Sequence, residues 1–437
     1  MIVDVTVQGE ALEASHAEAL AALQADSVAR RLADHDATLW GPGAESEAEI
    51  RLGWLDVVAV SWRFVPGLLR LRDELRAEGL DDVILCGMGG SSLAPEVICK
   101  CAGVPLTVLD STHPDQVRAV VERDLSRTVV VVSSKSGTTL ETDAQRRALF
   151  TAMSRVGIDA KSRIVVVTDP GSALEQLAKD EGYRAVFLAD PHVGGRYSAL
   201  TAFGLVPSAL AGADVELLLD QTTALGASLG EDSNAALKLG AALGADHRDK
   251  IVLDATDSPL LGFGDWAEQL IAESTGKQGR GLLPVVVAPG APEVATPAED
   301  VHVVHVGPPA PEIGTCVTGN LGAQFLAWEY AVAVSGRLLG INPFDQPDVE
   351  SAKVAARGLL DEQPTPEQPR FVDGAIAVFG SAELLEGVTT VTDALAALLE
   401  AVPERGYLAV MAYLDRPRDA SLAEVRNALA TRLGRPV

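Results

Sequence analysis

The run Val83-Ile-Leu-Cys-Gly-Met-Gly-Gly-Ser-Ser-Leu-Ala-Pro-Glu-Val97 reads as a short apolar strand, a glycine-rich turn and the start of a helix. Glycines let the backbone approach a ligand closely, and the helix beyond presents unpaired amides to an anion. Ser91 and Ser92 add hydroxyl donors. The spacing is not that of the dinucleotide G-x-G-x-x-G, and the Gly-Lys-Ser/Thr of a P-loop is missing. Taken alone, the stretch is explained equally well as a tight β–α turn of an α/β fold.

Its surroundings extend the pattern. Strand-length apolar runs recur at 83–86, 106–109, 129–132, 164–167 and 185–188, most of them separated by helix-length segments. Such alternation, rich in β-branched residues, predicts a parallel sheet covered on both faces. A second set follows at 251–253, 285–287 and 301–306, with helical patterns at 199–211, 263–275 and 320–338. A third, smaller set comprises 375–379, 389–402, 407–414 and 421–433. Before all of these, 10–35 and 46–79 carry apolar residues at three- and four-residue spacing, the mark of helices. The predicted organisation is therefore a helical segment at 1–80, α/β domains at 81–200 and 201–362, and a small α/β extension at 370–437. Proline-rich loops at 289–297, 307–311 and 363–369 connect the pieces, the last marking the best boundary.

Bulk properties narrow the function. A chain of 437 residues with 47% hydrophobic content and mean hydropathy +0.18 buries more than one core. No apolar run reaches the length of a membrane helix, and the first residues lack a secretory leader's basic start and apolar core. The four cysteines form neither a CxxC pair nor a disulfide framework, which fits a reduced cytoplasm. A net charge of −26 excludes nucleic acid and anionic membrane as partners. Any anionic ligand must be held against that global field by amides, helix N-termini and a few concentrated cations.

Lysine is scarce, with eight in the chain, and three of them stand in unusual company. Lys135 lies in Ser133-Ser-Lys-Ser-Gly-Thr-Thr139, after a strand and before a helix. Helix capping explains one or two hydroxyls there. Five hydroxyls and an ammonium suit a dianionic phosphate better, particularly if the two turns follow adjacent strands and meet at a switch point. Lys277 closes Glu273-Ser-Thr-Gly-Lys277, and Lys353 closes Asp345-Gln-Pro-Asp-Val-Glu-Ser-Ala-Lys353. Glu273 ends a predicted helix, where the dipole disfavours negative charge, a useful property in a general base. Arg196, in Gly194-Gly-Arg-Tyr-Ser198, could reach a substrate oxygen and stabilise developing charge. Gln346 and Lys353 share a face if their stretch is helical. Read singly, a turn arginine, a solvated glutamate and ordinary capping explain these residues as well.

Together the motifs GMGGSSLAP, SSKSGTTLET, GGRYS, ESTGK and NPFDQPDVESAK, in this order over about 270 residues from Gly87 to Lys353, resemble the phosphoglucose isomerase (glucose-6-phosphate isomerase) family. The N-terminal Asp36-Ala-Thr-Leu-Trp40 and Arg51-Leu-Gly-Trp-Leu-Asp56, with the C-terminal unit, are most similar to the isomerase half of bacterial transaldolase–phosphoglucose isomerase fusions. The resemblance implies two sugar isomerase (SIS) domains, doubly wound and flavodoxin-like, with a helical N-terminal arm. It implies phosphate binding by Ser91, Ser134, Lys135, Ser136 and Thr139, and substrate contact by Gly90 and Gly195. Arg196 would stabilise an enediolate, Glu273 would move a proton between C2 and C1, Gln346 would touch substrate and Lys353 would assist ring opening. No metal or organic cofactor is implied. The substrate would be a hexose 6-phosphate and the assembly a homodimer with its active site near the interface.

One departure is visible. The family's ring-opening histidine comes from the partner subunit, and between Lys277 and Gln346 only His302 and His305 are present, in Val-His-Val-Val-His-Val. Three residues apart in an alternating run, they share a face only if a residue is bulged, and the sequence assigns the role to neither. Longer fusion-type relatives continue past Arg435-Pro-Val437 with a histidine-containing segment, which reads this chain as shortened. Two other functions fit the motifs: a non-catalytic sugar-phosphate-binding SIS protein, and an isomerase serving both glucose and mannose 6-phosphate. The isomerase reading requires residues 134–139 and Glu273 to open onto one space.

Overall fold

The computed structural model describes residues 2–245, 248–308, 311–361 and 367–437. The first strand, β1 (Asp4–Gln8), is followed by helices through Val65–Ala77, and then five strands form the first sheet: β2 (Asp82–Cys86), β3 (Thr107–Leu109), β4 (Thr128–Ser133), β5 (Ile164–Thr168) and β6 (Ala185–Leu188). Their spatial order is β3-β2-β4-β5-β6, parallel throughout. That is the doubly wound, flavodoxin-like order, with its switch point between β2 and β4. β4 and β5 are buried along their whole length, as near-continuous valine runs require when both faces are covered. On one face Val83, Leu85, Val129 and Val131 pack with Val97, Ile98 and Phe203. On the other, Ile84, Cys86, Val130 and Val132 pack with Leu149 and Met153.

The second sheet contains β7 (Lys250–Asp254), β8 (Leu283–Val287), β9 (Val301–Val306) and β10 (Gly314–Thr318) in the order β1-β10-β9-β7-β8. The order β8-β7-β9-β10 repeats the arrangement of the first sheet, but the last place is filled by β1, antiparallel, with Asp4 opposite Thr318 and Gln8 opposite Gly314. The N-terminal segment expected to be helical therefore begins with a strand of the second sheet. The alternation Val3-Asp-Val-Thr-Val7 is a five-residue edge signal whose partner lies far away in the sequence. β10 was also absent from the expected elements, because Gly-Thr-Cys-Val-Thr is too polar to read as a buried run. Above this sheet lies the long helix Leu321–Leu339, buried on nearly every side and packed on Val215–Gly226 and Ala235–Gly244.

The helix Ala202–Ala211 packs on β2, β5 and β6 and on the helix Leu93–Ala102. It belongs to the first sheet's covering layer, although the expected boundary at 200/201 assigned it to the second domain. The C-terminal unit is a hairpin, β11 (Phe371–Asp373) with β12 (Ile376–Val378), and the helices Val391–Glu400 and Val425–Leu433. The apolar run 407–414 forms no strand; Leu408 N–H donates to the Pro436 carbonyl at 3.0 Å without building a ladder. The proposed junction at 363–369 falls mostly on 362–366, and part of the loop 307–311 on 309–310, outside the described residues. Among the described residues no single helix is long and apolar enough to cross a membrane.

Candidate active site

Two turns leave the carboxyl ends of β2 and β4, side by side at the switch point, and their helices run to opposite faces. In the first turn Gly89 has φ +54°, and a methyl on it would lie 2.6 Å from the Gln269 amide nitrogen. A methyl on Gly90 would lie 2.2 Å from the Gly195 carbonyl oxygen. The Gly-rich turn is thus pressed directly onto the Gly194–Ser198 turn, and Ser198 Oγ donates to the Gly195 carbonyl at 2.5 Å and the Gly90 carbonyl at 3.3 Å. Ser91 is half-buried at the end of the same turn.

In the second turn the hydroxyls face one another. Ser134 Oγ is 3.0 Å from Thr139 Oγ1, and Ser136 Oγ is 3.1 Å from Thr138 Oγ1. Thr139 caps the helix Leu140–Arg155 without a side-chain bond to it, so the first amides of that helix stay available to an anion. Lys135 points elsewhere: its Nζ sits 2.5 Å from Asp169 Oδ2, with the Pro191 carbonyl at 3.5 Å. Burial pushes the Asp169 carboxyl above its ordinary range, and Lys135 only partly counters it.

The reaction groups meet on the helix Phe263–Thr275 and the loop after it. Arg196 is 2% exposed. Its Nε donates to Ser274 Oγ at 2.7 Å, and its Nη2 donates to the Pro343 carbonyl at 2.5 Å and the Asp345 carbonyl at 3.3 Å. Nη1 lies 3.6 Å from Glu273 Oε2 and has no hydrogen-bond partner among the described residues. Burial pulls the guanidinium's pKa down, opposed by Tyr197, Glu273 and Asp345. Glu273 Oε1 accepts from Gln269 Nε2 at 3.0 Å, one helical turn back. Lys277 Nζ holds the same 345 position, 2.6 Å from Asp345 Oδ1 and 2.8 Å from its carbonyl. Burial lowers the Lys277 pKa, and neighbouring Arg196 adds to this against the pull of Asp345.

Gln346 follows Asp345 directly and precedes the helix Pro347–Asp361, so it stands at the helix entrance and not within it. Lys353 is exposed on that helix. His302 and His305 point to opposite faces of the second sheet: His302 Nε2 is 2.9 Å from Thr315 Oγ1, and His305 Nδ1 is 3.1 Å from Asp254 Oδ2. Ser274, Gln269, Asp345 and Arg146 are polar residues of the site that the motifs did not single out. Gln269 could have been found as the residue one helical turn before Glu273. Asp345 lies inside the quoted NPFDQ segment and carries no chemical signature of its own.

The expectation of a single shared space is not met. Ser134, Gly137 and Thr139 line a cavity of about 300 Å³ with Thr142, Asp143, Arg146 and Leu174. Glu273 lines a separate groove of about 680 Å³ with Leu93, Lys100, Gln269 and Arg416. The two turns stand near each other all the same: β2 and β4 are neighbours, and Gln145, on the helix after the hydroxyl turn, reaches Met88 Sδ of the glycine-rich turn at 3.9 Å. Among the described residues, no group of three or more His, Cys, Asp or Glu is placed to hold a metal ion.

The family model for phosphoglucose isomerase matches residues 75–227. The glucose-6-phosphate isomerase of Geobacter sp. (strain M21) is 31% identical over 352 residues, 64% of this chain and 66% of its own length. That of Synechococcus elongatus is 30% identical over the same shares, and that of Acaryochloris marina 36% over 45% of this chain and 40% of its own. The chain thus spans just under two thirds of the Geobacter and Synechococcus relatives. Among solved structures, a hypothetical protein of Thermus thermophilus superposes with TM-score 0.68 at 24% identity, over 82% of this chain and all of that one. A glucose-6-phosphate isomerase of Chlamydia trachomatis does so with TM-score 0.64 at 20% identity, over 78% and 86%. Both likenesses establish the fold.

Proposed function

We propose that the chain is an aldose–ketose isomerase interconverting glucose 6-phosphate and fructose 6-phosphate. The observation that carries the reading is Arg196: a fully buried guanidinium whose Nη1 faces Glu273 without a bond, at the point where two glycine turns close on each other. In the open-chain sugar Glu273 takes the proton from C2, and negative charge develops on the oxygens of a cis-enediolate. Arg196 meets that charge, and such preorganised stabilisation in a dry site is commonly the largest catalytic term. Glu273 then returns the proton to C1. Ser91, Ser134, Ser136 and Thr139, with the amides of the helix from Leu140, take the phosphate, and Gly90 and Gly195 line the sugar. Lys135 joins the phosphate by exchanging Asp169 for it, while Gln346 and Lys353 complete the sugar end.

Separate openings for the hydroxyl cavity and the Glu273 groove set a condition: substrate binding must join them. The same observation favours a second reading, a sugar-phosphate-binding protein without turnover. Incubation with fructose 6-phosphate, following glucose 6-phosphate, decides. Tight hexose phosphate binding with no product would establish the binding-only reading, and exchange with mannose 6-phosphate would extend the substrate range. We further place the chain in the cytoplasm as a homodimer, similar to the isomerase half of transaldolase fusions. Four free thiols support the compartment, and a mass measurement in solution tests the assembly.

A further inference from the structure

The hydroxyl cavity holds a cation that no motif announced. Among the described residues that line it, Arg146 is the one positively charged side chain. Lys135 is not part of the lining, because its ammonium rests on Asp169. Arg146 lies on the helix Leu140–Arg155, whose N-cap is Thr139. Thr139, Thr142, Asp143 and Arg146 follow one another at three- and four-residue spacing, so one helix face carries them to the same space. Leu174 and Leu177, on the helix Ala173–Glu181, give the cavity an apolar side. The hydroxyl turn is pressed onto that helix, since a methyl on Gly137 would lie 2.8 Å from the Leu174 backbone nitrogen.

The guanidinium is held without being used up. The Arg146 side chain is 12% exposed. Its Nε and Nη2 donate to Asp143 Oδ1 at 3.0 and 2.6 Å, and its Nη1 donates to the Tyr183 hydroxyl at 2.9 Å. Each terminal nitrogen has two N–H groups, so one on Nη1 and one on Nη2 stay uncommitted among the described residues. Asp143 also pairs with Arg147, whose Nε lies 2.9 Å from Oδ2. The three side chains therefore carry a net positive charge, a local excess that an anionic ligand needs in a chain of net charge −26. Thr142, one turn before Arg146, is 2% exposed, and its hydroxyl has no hydrogen-bond partner among the described residues. A helical threonine commonly returns its hydroxyl to the carbonyl four residues back. One buried without that bond is costly unless a ligand or water takes it.

We propose that Arg146 is a phosphate-binding residue: the hydroxyl cavity receives the ester end of the hexose phosphate on the two uncommitted N–H groups, with the Thr142 hydroxyl as a further donor. Asp143 and Tyr183 keep the guanidinium in place, so it meets the phosphate already oriented, as a planar fork does best with a phosphate's oxygens. Lys135 adds a second charge from outside the cavity. The role deepens the reading that this cavity takes the phosphate and rests on it.

Calorimetric titration with fructose 6-phosphate at low and high ionic strength tests it, with circular dichroism as the control of fold. Arg146→Gln raises the dissociation constant at least about tenfold. The wild-type constant rises as salt is added, and that of the Gln variant rises less, because one charge of the contact is gone. Loss of packing alone would not alter the response to salt. Arg146→Lys, which keeps the charge without the fork, raises the constant about threefold and stands in for Gln should that variant not fold. Unchanged affinity in the Arg146 variants overturns the proposal, and so does a Gln variant that binds more weakly with the wild-type response to salt. Wild-type protein that binds fructose 6-phosphate without converting it, and loses that binding with Arg146→Gln, refutes the isomerase reading and leaves Arg146 in its role. Wild-type protein that does not bind the sugar phosphate overturns both.

Discussion

Arg196 Nη1 stands 3.6 Å from Glu273 Oε2, beyond hydrogen-bond distance, while the other two nitrogens of the guanidinium are tied to Ser274, Pro343 and Asp345. A fully bonded pair would bury both groups in each other. This spacing anchors the arginine from behind and leaves its third nitrogen directed at the Glu273 carboxylate. In the proposed reaction the two would serve one substrate, as base and as oxyanion donor.

If Glu273 moves the proton, Glu273→Gln should reduce kcat by about 10²- to 10⁴-fold, the usual range for a lost general base. The phosphate turn lies in a different cavity, so the dissociation constant for fructose 6-phosphate should change less than about threefold. Calorimetric binding beside a coupled assay reads both, and normal turnover in the variant would remove Glu273 from its role.

Gly90→Ala places a methyl where the Gly195 carbonyl oxygen already stands, at 2.2 Å. One of the two turns must retreat, and a displacement of about 1 Å in a reacting group costs on the order of 100-fold in rate. We expect kcat to fall by about that factor, with the first sheet intact by circular dichroism. A fully active Gly90→Ala enzyme would show that the close approach of the turns has no catalytic consequence.

Asp300 ties the C-terminal unit to the second sheet. Its Oδ2 lies 2.6 Å from Arg435 Nη2 and 2.8 Å from Lys250 Nζ. Burial raises the Asp300 pKa, but the bonds from Arg435 and Lys250 prevail and bring it to about 2. A carboxyl whose folded pKa is depressed stabilises the fold above its unfolded pKa and ceases to do so as pH falls from about 4 through about 2. Arg435→Ala should lower stability by about 2 kcal/mol at neutral pH, with a smaller difference from wild type at pH 2. Denaturant unfolding at the two pH values checks this.

Glu329, fully buried on the long helix Leu321–Leu339, has the opposite sign. Burial raises its folded pKa, so the unfolded chain loses the proton first and stability falls as pH climbs above the ordinary glutamate range. Glu329 adds to the rise that burial imposes on Tyr197, whose own pKa, about 12, lies far above this window. Glu329→Gln removes the penalty, so its melting temperature should gain on wild type between pH 5 and pH 8. A constant difference across that range would mean that Glu329 is not held neutral.

Legibility differed by region for physical reasons. The first sheet was plain because β4 and β5 are nearly unbroken β-branched runs, and β2 an apolar one, buried on both sides. β1 and β10 were not, because an edge strand and a Gly-Thr-Cys-Val-Thr strand take their identity from partners distant in sequence. Likewise Arg196 and Glu273 stood out as motif residues and are adjacent in space. Lys135 stood out as a phosphate ligand, yet its ammonium rests on Asp169, a residue thirty-four positions on that no local pattern connects to it. The division into two cavities depends on which side chains, from distant parts of the chain, line each one, and a linear reading does not reach that.

The antiparallel seating of Asp4–Gln8 against Gly314–Thr318 has a bearing on synthesis. A ribosome makes the opening strand roughly 300 residues before the segment that receives it, so the first sheet can close while that strand is still waiting. The margin of the second sheet is then sealed last, by a segment made well before its partner. Loss of the Asp4–Gln8 strand would leave an unguarded hydrogen-bonding rim along Gly314–Thr318, prone to recruit neighbouring chains.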